Sequence, residues 1–264
     1  MSFQLSAILM TILFQYNGFV FAETSKVIPF NSKEGILRFE RSEAKIDFFA
    51  LANQFESQSN KTFCGVASAT IVLNALKMAE PMETKPLDKA AVTSTEYSEW
   101  EKDFGKPIVF NRYTQGNFFN VKTDLVKSRA EVLGLKQKNG IRDGGLTLIQ
   151  LQNLLMTYDL EVKLKYVDEI KDSQKIKYEL IKNLQTPDDY IIANFFRPVL
   201  EQKGGGHISP IVSYDKTSDS FLLLDVNPNG QSWVWVEAMT LILSMNTKDG
   251  KNYRGYLLVS RKEL

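Results

Sequence analysis

Residues 58–79 read Gln58-Ser-Asn-Lys-Thr-Phe-Cys64-Gly65-Val66-Ala-Ser-Ala-Thr-Ile-Val-Leu-Asn-Ala-Leu-Lys-Met-Ala79. The first part is a polar loop. From Val66 onward the run is apolar nearly all round, the profile of a helix that lies in the middle of a domain. Pro81 obliges that helix to stop by Glu80. Asn60 or Thr62 stands where its start needs a cap. Cys64 therefore sits where a buried helix begins, among unpaired backbone N–H groups and partial positive charge. Both favour a thiolate over a thiol, and the same N–H groups can stabilise an oxyanion.

Cys64 is the only cysteine of the 264 residues, and His207 the only histidine. An intramolecular disulfide is excluded, as is a zinc site built from several Cys and His ligands. A lone cysteine is most often a small buried hydrophobe, so the case for chemistry rests on what surrounds it. Lys plus Arg, 32, nearly balances Asp plus Glu, 31, which gives no electrostatic reason to expect nucleic acid or an anionic membrane as partner.

Outward from the Cys64 helix the two halves of the chain differ. Phe48 to Gln54 reads as a short helical turn, and residues 23–45 as extended. Residues 86–116 read as helix and loop. Val121 to Leu133, Thr147 to Tyr158 and Ile176 to Leu184 read as helices by their three- and four-residue apolar spacing. From Tyr190 the runs are β-rich: Tyr190 to Phe196, Ile208 to Tyr214, Ser220 to Val226, Trp233 to Val236 and Gly255 to Val259. Gly204 to Gly206, Asp215 to Asp219 and Asn227 to Gly230 punctuate them. Helices followed by an antiparallel sheet give an α+β fold in one unit over residues 23–264.

The strand opening at His207 and the strand Ser220 to Val226 form a hairpin. If its turn centres on Thr217, opposite partners have numbers summing to about 434. Ser209 then faces Asp225, and His207 shares that face because strand side chains alternate. A carboxylate there would hold the imidazole so that its other nitrogen faces Cys64. Gln58, six residues before the cysteine, could bring a side-chain amide to the oxyanion, although an ordinary loop glutamine reads the same way. Gly65 would let a substrate approach the backbone.

Before all of this, Met1 to Ala22 carries no charged side chain and ends Val20-Phe21-Ala22 ahead of Glu23. It reads as a cleavable signal peptide, hence a periplasmic or secreted protein, with a membrane anchor as the alternative.

Gln58 to Ser68, with Val72-Leu73-Asn74 beyond, resembles the active-site segment of the phytochelatin synthases. Thr114-Gln-Gly-Asn-Phe-Phe119, Gly144-Gly-Leu-Thr-Leu148, Gly205-Gly-His-Ile-Ser-Pro210 and Leu224-Asp-Val226 resemble later segments of that family, in order. The resemblance, to the short bacterial form, covers residues 48–260. It implies a papain-like fold and an enzyme that attacks the Cys–Gly bond of glutathione, releases glycine and holds γ-glutamylcysteine as a thioester. Carried over by position, Cys64 is the nucleophile, His207 the base and acid, Asp225 the orienter and Gln58 the oxyanion donor. Arg197, Arg254 and Gly206 fall at substrate-binding positions, the arginines suited to carboxylates. The resemblance implies no resident metal or cofactor; a heavy-metal ion would enter as a metal–glutathione thiolate substrate. It leaves a homodimer open. After Asp225-Val226 the family continues with a basic, aromatic run, where this chain has Asn227-Pro-Asn-Gly-Gln-Ser232. That departure implies a weakened acceptor site, with hydrolysis ahead of dipeptidyl transfer to a second glutathione. A papain-like peptidase acting on another small peptide, and a non-catalytic module binding glutathione or metal thiolates, are the competing readings.

Overall fold

The computed structural model describes residues 27–138, 141–230 and 233–262. The expected signal segment lies outside the described residues. Among those described, no helix is long and apolar enough to cross a membrane.

The chain enters by a short strand, β1 (Val27–Pro29), and then a helix, α1 (Lys33–Arg41). This corrects the extended reading of residues 23–45. Ser32 caps the helix by accepting from the Gly35 N–H at 3.0 Å, and the Trp235 indole N–H donates to the Gly35 carbonyl at 2.9 Å. Gly35 has no alternative, since a Cβ there would lie 2.1 Å from the Pro29 oxygen. Next come α2 (Ile46–Asn53), α3 (Cys64–Leu76), α4 (Ser94–Phe104) and α5 (Leu148–Met156). The helix expected over Val121 to Leu133 is two short ones, Val121–Asp124 and Arg129–Val132. Each starts at its own capping residue, Asn120 and Ser128, and the second cap interrupts the first helix's pattern.

The rest of the chain runs β2 (Leu160–Tyr166), α6 (Ser173–Asn183), β3 (Asp189–Phe196), β4 (Gly206–Asp215), β5 (Ser220–Leu223), β6 (Val234–Glu237), α7 (Ala238–Met245) and β7 (Gly255–Arg261). These strands, with β1, make one antiparallel sheet in the order β1-β6-β5-β4-β3-β7-β2. The fold is α+β. The sheet is not confined to the runs from Tyr190 onward, because β1 comes from the stretch read as extended and β2 from between two stretches read as helices. Each face of the sheet buries its own apolar cluster. One gathers α3 and α5 with Ile192, Val212, Leu222 and Trp235. The other gathers α6 and α7 with Ile191, Phe195, Ile211 and Phe221. β4 is buried on both sides, which explains its near-continuous apolar reading.

The hairpin register depends on a bulge. Asp215 pairs with Ser220 and Tyr214 with Phe221, so the turn is centred between Thr217 and Ser218. Continued unbroken, that register would set Asp225 opposite Pro210, on the face away from His207. The ladder instead shifts between Ile211 and Ser213, after which Ile211 pairs with Leu223 and the Leu224 N–H donates to Pro210 at 2.9 Å. Asp225 thereby returns to the level of Ser209 and to the face of His207.

Candidate active site

α3 is buried from Gly65 to Leu76, so its N-terminus is driven into the body of the protein beside the start of β4. Its N-cap is Phe63, which offers no side-chain cap. Asn60 is not the cap; its side-chain oxygen accepts from the Thr62 N–H at 3.1 Å and from the Thr62 hydroxyl at 2.9 Å, shaping the loop instead. Ser68 ties the helix to the sheet, its hydroxyl within 3.1 Å of the Ile208 carbonyl. Packing at Gly65 is tight, since a Cβ there would meet the side chains of Leu146 at 3.1 Å and Ile208 at 3.3 Å.

These contacts bring Cys64, His207 and Asp225 together. His207 Nε2 lies 2.9 Å from Asp225 Oδ1. The imidazole also hydrogen-bonds the half-buried Cys64 thiol, which with Nε2 committed falls to Nδ1. The two acids move down and the imidazole between them moves up. Burial raises the Cys64 pKa, but the hydrogen bond and charge of His207, with backbone N–H groups of Ile208 and Gly65, outweigh it and hold the thiol below its ordinary value. Burial lowers the His207 pKa, but Asp225 and Cys64 reverse this and raise it. Burial likewise raises Asp225, and His207, Arg197 and the Asn227 N–H pull it below the usual carboxylate range. All three shifts favour a thiolate–imidazolium pair backed by a carboxylate.

Gln58 is anchored at the same cleft. Its backbone N–H donates to Val226 at 2.7 Å, and its side-chain N–H donates to the Asn60 carbonyl at 2.7 Å. Turning the amide over would set two acceptors face to face, so this orientation holds. One side-chain N–H is left for an oxyanion, while Oε1 is buried without a partner.

Two cavities meet at His207. One, of about 240 Å³, lies beside Cys64 and is walled by Gly144 to Leu146, Asn194, Asp249 and Arg254. The other, of about 290 Å³, lies between Gln58 to Lys61, Lys203 to Gly206 and Asn227 to Asn229. Arg254 belongs to the first. Its guanidinium is buried, bonds Thr247 Oγ1 at 3.1 Å and the Lys248 carbonyl, and stands 3.6 Å from Asp249. Its Nε has no hydrogen-bond partner among the described residues. Gly206 makes room for it, since a Cβ there would come within 2.7 Å of Arg254 Nη2. Arg197, expected to grip a substrate, lines the second cavity with its guanidinium already engaged by protein groups. Its Nη2 donates to both oxygens of Asp225, at 2.9 and 2.7 Å, and its Nη1 to Gln202 Oε1 at 2.6 Å. The guanidinium is buried and taken by protein partners. Asn194 and Asp249, joined at 2.9 Å, were missed in the sequence; a polar residue inside the apolar run Tyr190 to Phe196 was the available signal.

A family model described as phytochelatin synthase matches residues 22–90 and 103–256. The chain belongs to the phytochelatin synthase family. Relatives are the glutathione gamma-glutamylcysteinyltransferase 3 of Lotus japonicus, 25% identical over 216 residues, 81% of this chain and 37% of the relative; the transferase 1 of Triticum aestivum, 27% identical over 81% of this chain and 36% of the relative; and the transferase 1 of Arabidopsis thaliana, 26% identical over 89% of this chain and 42% of the relative. The chain spans less than half the length of these relatives. The matched region contains Cys64, His207 and Asp225.

Proposed function

We propose that the chain is a papain-like thiol enzyme that cleaves the Cys–Gly bond of glutathione. The observation that carries this is His207 held between Cys64 and Asp225, at the N-terminus of a buried helix, in a chain whose relatives are named for transfer of γ-glutamylcysteine from glutathione. The Cys64 thiolate attacks the carbonyl carbon of the glutathione cysteine residue. The N–H groups of the first turn of α3 and the free N–H of Gln58 face the oxyanion. As the intermediate collapses, the C–N bond breaks and His207 gives its proton to the departing glycine amine. A γ-glutamylcysteinyl thioester remains on Cys64. His207, again neutral, then takes a proton from water or from the amine of a second glutathione as that group attacks the thioester.

The cavity beside Cys64 suits the γ-glutamylcysteinyl group. Lys61 and Arg254 are cations of its wall, and Arg254, whose buried Nε has no hydrogen-bond partner among the described residues, is the one suited to grip a substrate carboxylate. The second cavity suits the acceptor, but the turn that walls it is neutral, Asn227-Pro228-Asn229; among the described residues its exposed cations are Lys61 and Lys203, and the guanidinium of Arg197 is held by Asp225 and Gln202. An acceptor held by so little competes poorly with water, so hydrolysis to γ-glutamylcysteine and glycine leads, and phytochelatin forms slowly. A heavy-metal ion enters as the metal–glutathione thiolate rather than as a resident ion. The apolar, uncharged Met1 to Ala22 supports export and cleavage, checked by sequencing the N-terminus of the native protein.

Glycine release from glutathione by the full chain, with and without cadmium, is the test. Wild type should release glycine, with free γ-glutamylcysteine outpacing phytochelatin over a time course, and Cys64→Ala should release none. Undiminished release by Cys64→Ala would overturn the assignment.

A further inference from the structure

Arg197 opens a 3-10 turn, Arg197–Leu200, immediately after β3, and the whole loop to β4 folds around it. Its backbone N–H donates to Gly205 at 3.1 Å, and the Gln202 N–H donates back to its carbonyl at 3.1 Å. Gly204 adopts a positive φ of 118°, and a Cβ there would lie 3.1 Å from Arg197 Cδ. Side chain and backbone together lock one orientation, with Gln202 holding one arm of the fork and Asp225 the other. The guanidinium–carboxylate pair is almost wholly buried, 5% and 0% exposed. Such a pair does little for stability against an apolar alternative, so its placement directly behind the catalytic acid calls for another account.

We propose that Arg197 is a positioning residue that fixes the Asp225 carboxylate against His207 and sets, through its charge, the pH window in which the Cys64–His207 pair exists. This rests on reading Cys64 and His207 as the catalytic pair. Asp225 Oδ1 receives His207 Nε2, Arg197 Nη2 and the Asn227 N–H, all at 2.9 Å. Oδ2 receives Arg197 Nη2 at 2.7 Å. Without the arginine, Oδ2 loses that donor and the carboxylate is freer to rotate about its Cβ–Cγ bond, so that Oδ1 leaves the ring. The charge acts separately. A cation next to Asp225 makes every nearby protonation harder, including that of the imidazole beyond it. The other charged groups facing this centre are Cys64 from α3, Lys61 and Lys203 from the walls of the second cavity, and Arg254 with Asp249 from the first.

The direct test uses iodoacetamide on the full chain, which has one cysteine, with alkylation rate followed against pH. It requires no glutathione. Wild type should show two inflections, one where the thiol yields its proton to form the ion pair and one where the imidazolium then loses its own; both belong to the pair. In Arg197→Gln both should move to higher pH by roughly half a unit or more. Arg197→Lys keeps the charge but not the fork, so its inflections should stay while kcat for glycine release falls about tenfold with KM unchanged. Unmoved inflections in folded Arg197→Gln would overturn the proposal. So would a raised KM with unchanged kcat in Arg197→Lys, which would restore a substrate contact; the lysine variant decides the matter alone if the glutamine variant does not fold. A wild type lacking the lower inflection would instead remove the ion pair itself, and with it the catalytic reading.

Discussion

Asp225 and Asp47 are both buried aspartates, 3% and 1% exposed, and the protein treats them in opposite ways. Asp225 has His207, both contacts from Arg197 and a backbone N–H, and its pKa is depressed. Asp47, in the first turn of α2, has both oxygens buried with no hydrogen-bond partner among the described residues, and burial, with the charges of Asp189 and Asp188 added, pushes it up to about 8. Burial acts on both in the same sense. The difference is the donor set, and only where donors converge does a buried carboxylate stay ionised and useful. Arg254 falls between the two. Burial lowers its pKa and Asp249 offsets this only in part, which leaves it a half-satisfied cation facing a cavity.

Removing the donors' target should have the largest effect. Asp225→Ala strands the Arg197 guanidinium in the interior and frees the imidazole. Glycine release should fall by about 10³–10⁴, and denaturant unfolding should show a loss of about 3–5 kcal/mol. A variant with near-normal turnover would erase the distinction between the two aspartates.

Asp47→Asn should do the reverse. The folded pKa of Asp47 lies above its unfolded value, so the folded state binds more protons between about pH 4 and 8, and stability falls as pH rises through that range. At about 1.4 kcal/mol per pKa unit over roughly four units, the loss by pH 8 is on the order of 5 kcal/mol. The asparagine variant, with no charge to bury, should be flatter with pH and more stable than wild type at pH 8, with turnover unchanged. Parallel pH–stability curves for the two proteins would show that Asp47 has partners after all.

The smallest effect belongs to the intermediate case. Arg254→Lys should raise KM for glutathione about tenfold, roughly 1.4 kcal/mol, with kcat little changed, because a lysine keeps the charge but loses the fork. A change in kcat alone would place Arg254 with the chemistry rather than with binding.

The buried helix and the β-rich half are plain in the sequence because both are read from continuous apolar runs. The relation of His207 to Asp225 was reached by centring the hairpin on Thr217, yet the true turn lies half a residue later and the bulge at Val212 restores the face. A bulge leaves no mark in an unbroken run such as Ile208 to Tyr214, so the correct register was not itself legible. α1 was missed because it begins at a serine cap inside a mixed, charged segment. The partners of Arg197 were hidden for a similar reason. An arginine after an apolar strand looks available for a substrate, and nothing local reveals that Asp225, 28 positions later, already occupies it.

The thioester is the centre of the account, and an intact-mass spectrum of the protein quenched in acid during turnover of glutathione reads it directly. The expected result is a γ-glutamylcysteinyl adduct on the peptide containing Cys64, discharged by hydroxylamine and absent from Cys64→Ser. Steady glycine release with Cys64 unmodified, under conditions where acyl-enzyme discharge is slowed enough for the adduct to accumulate, would contradict covalent catalysis at this residue.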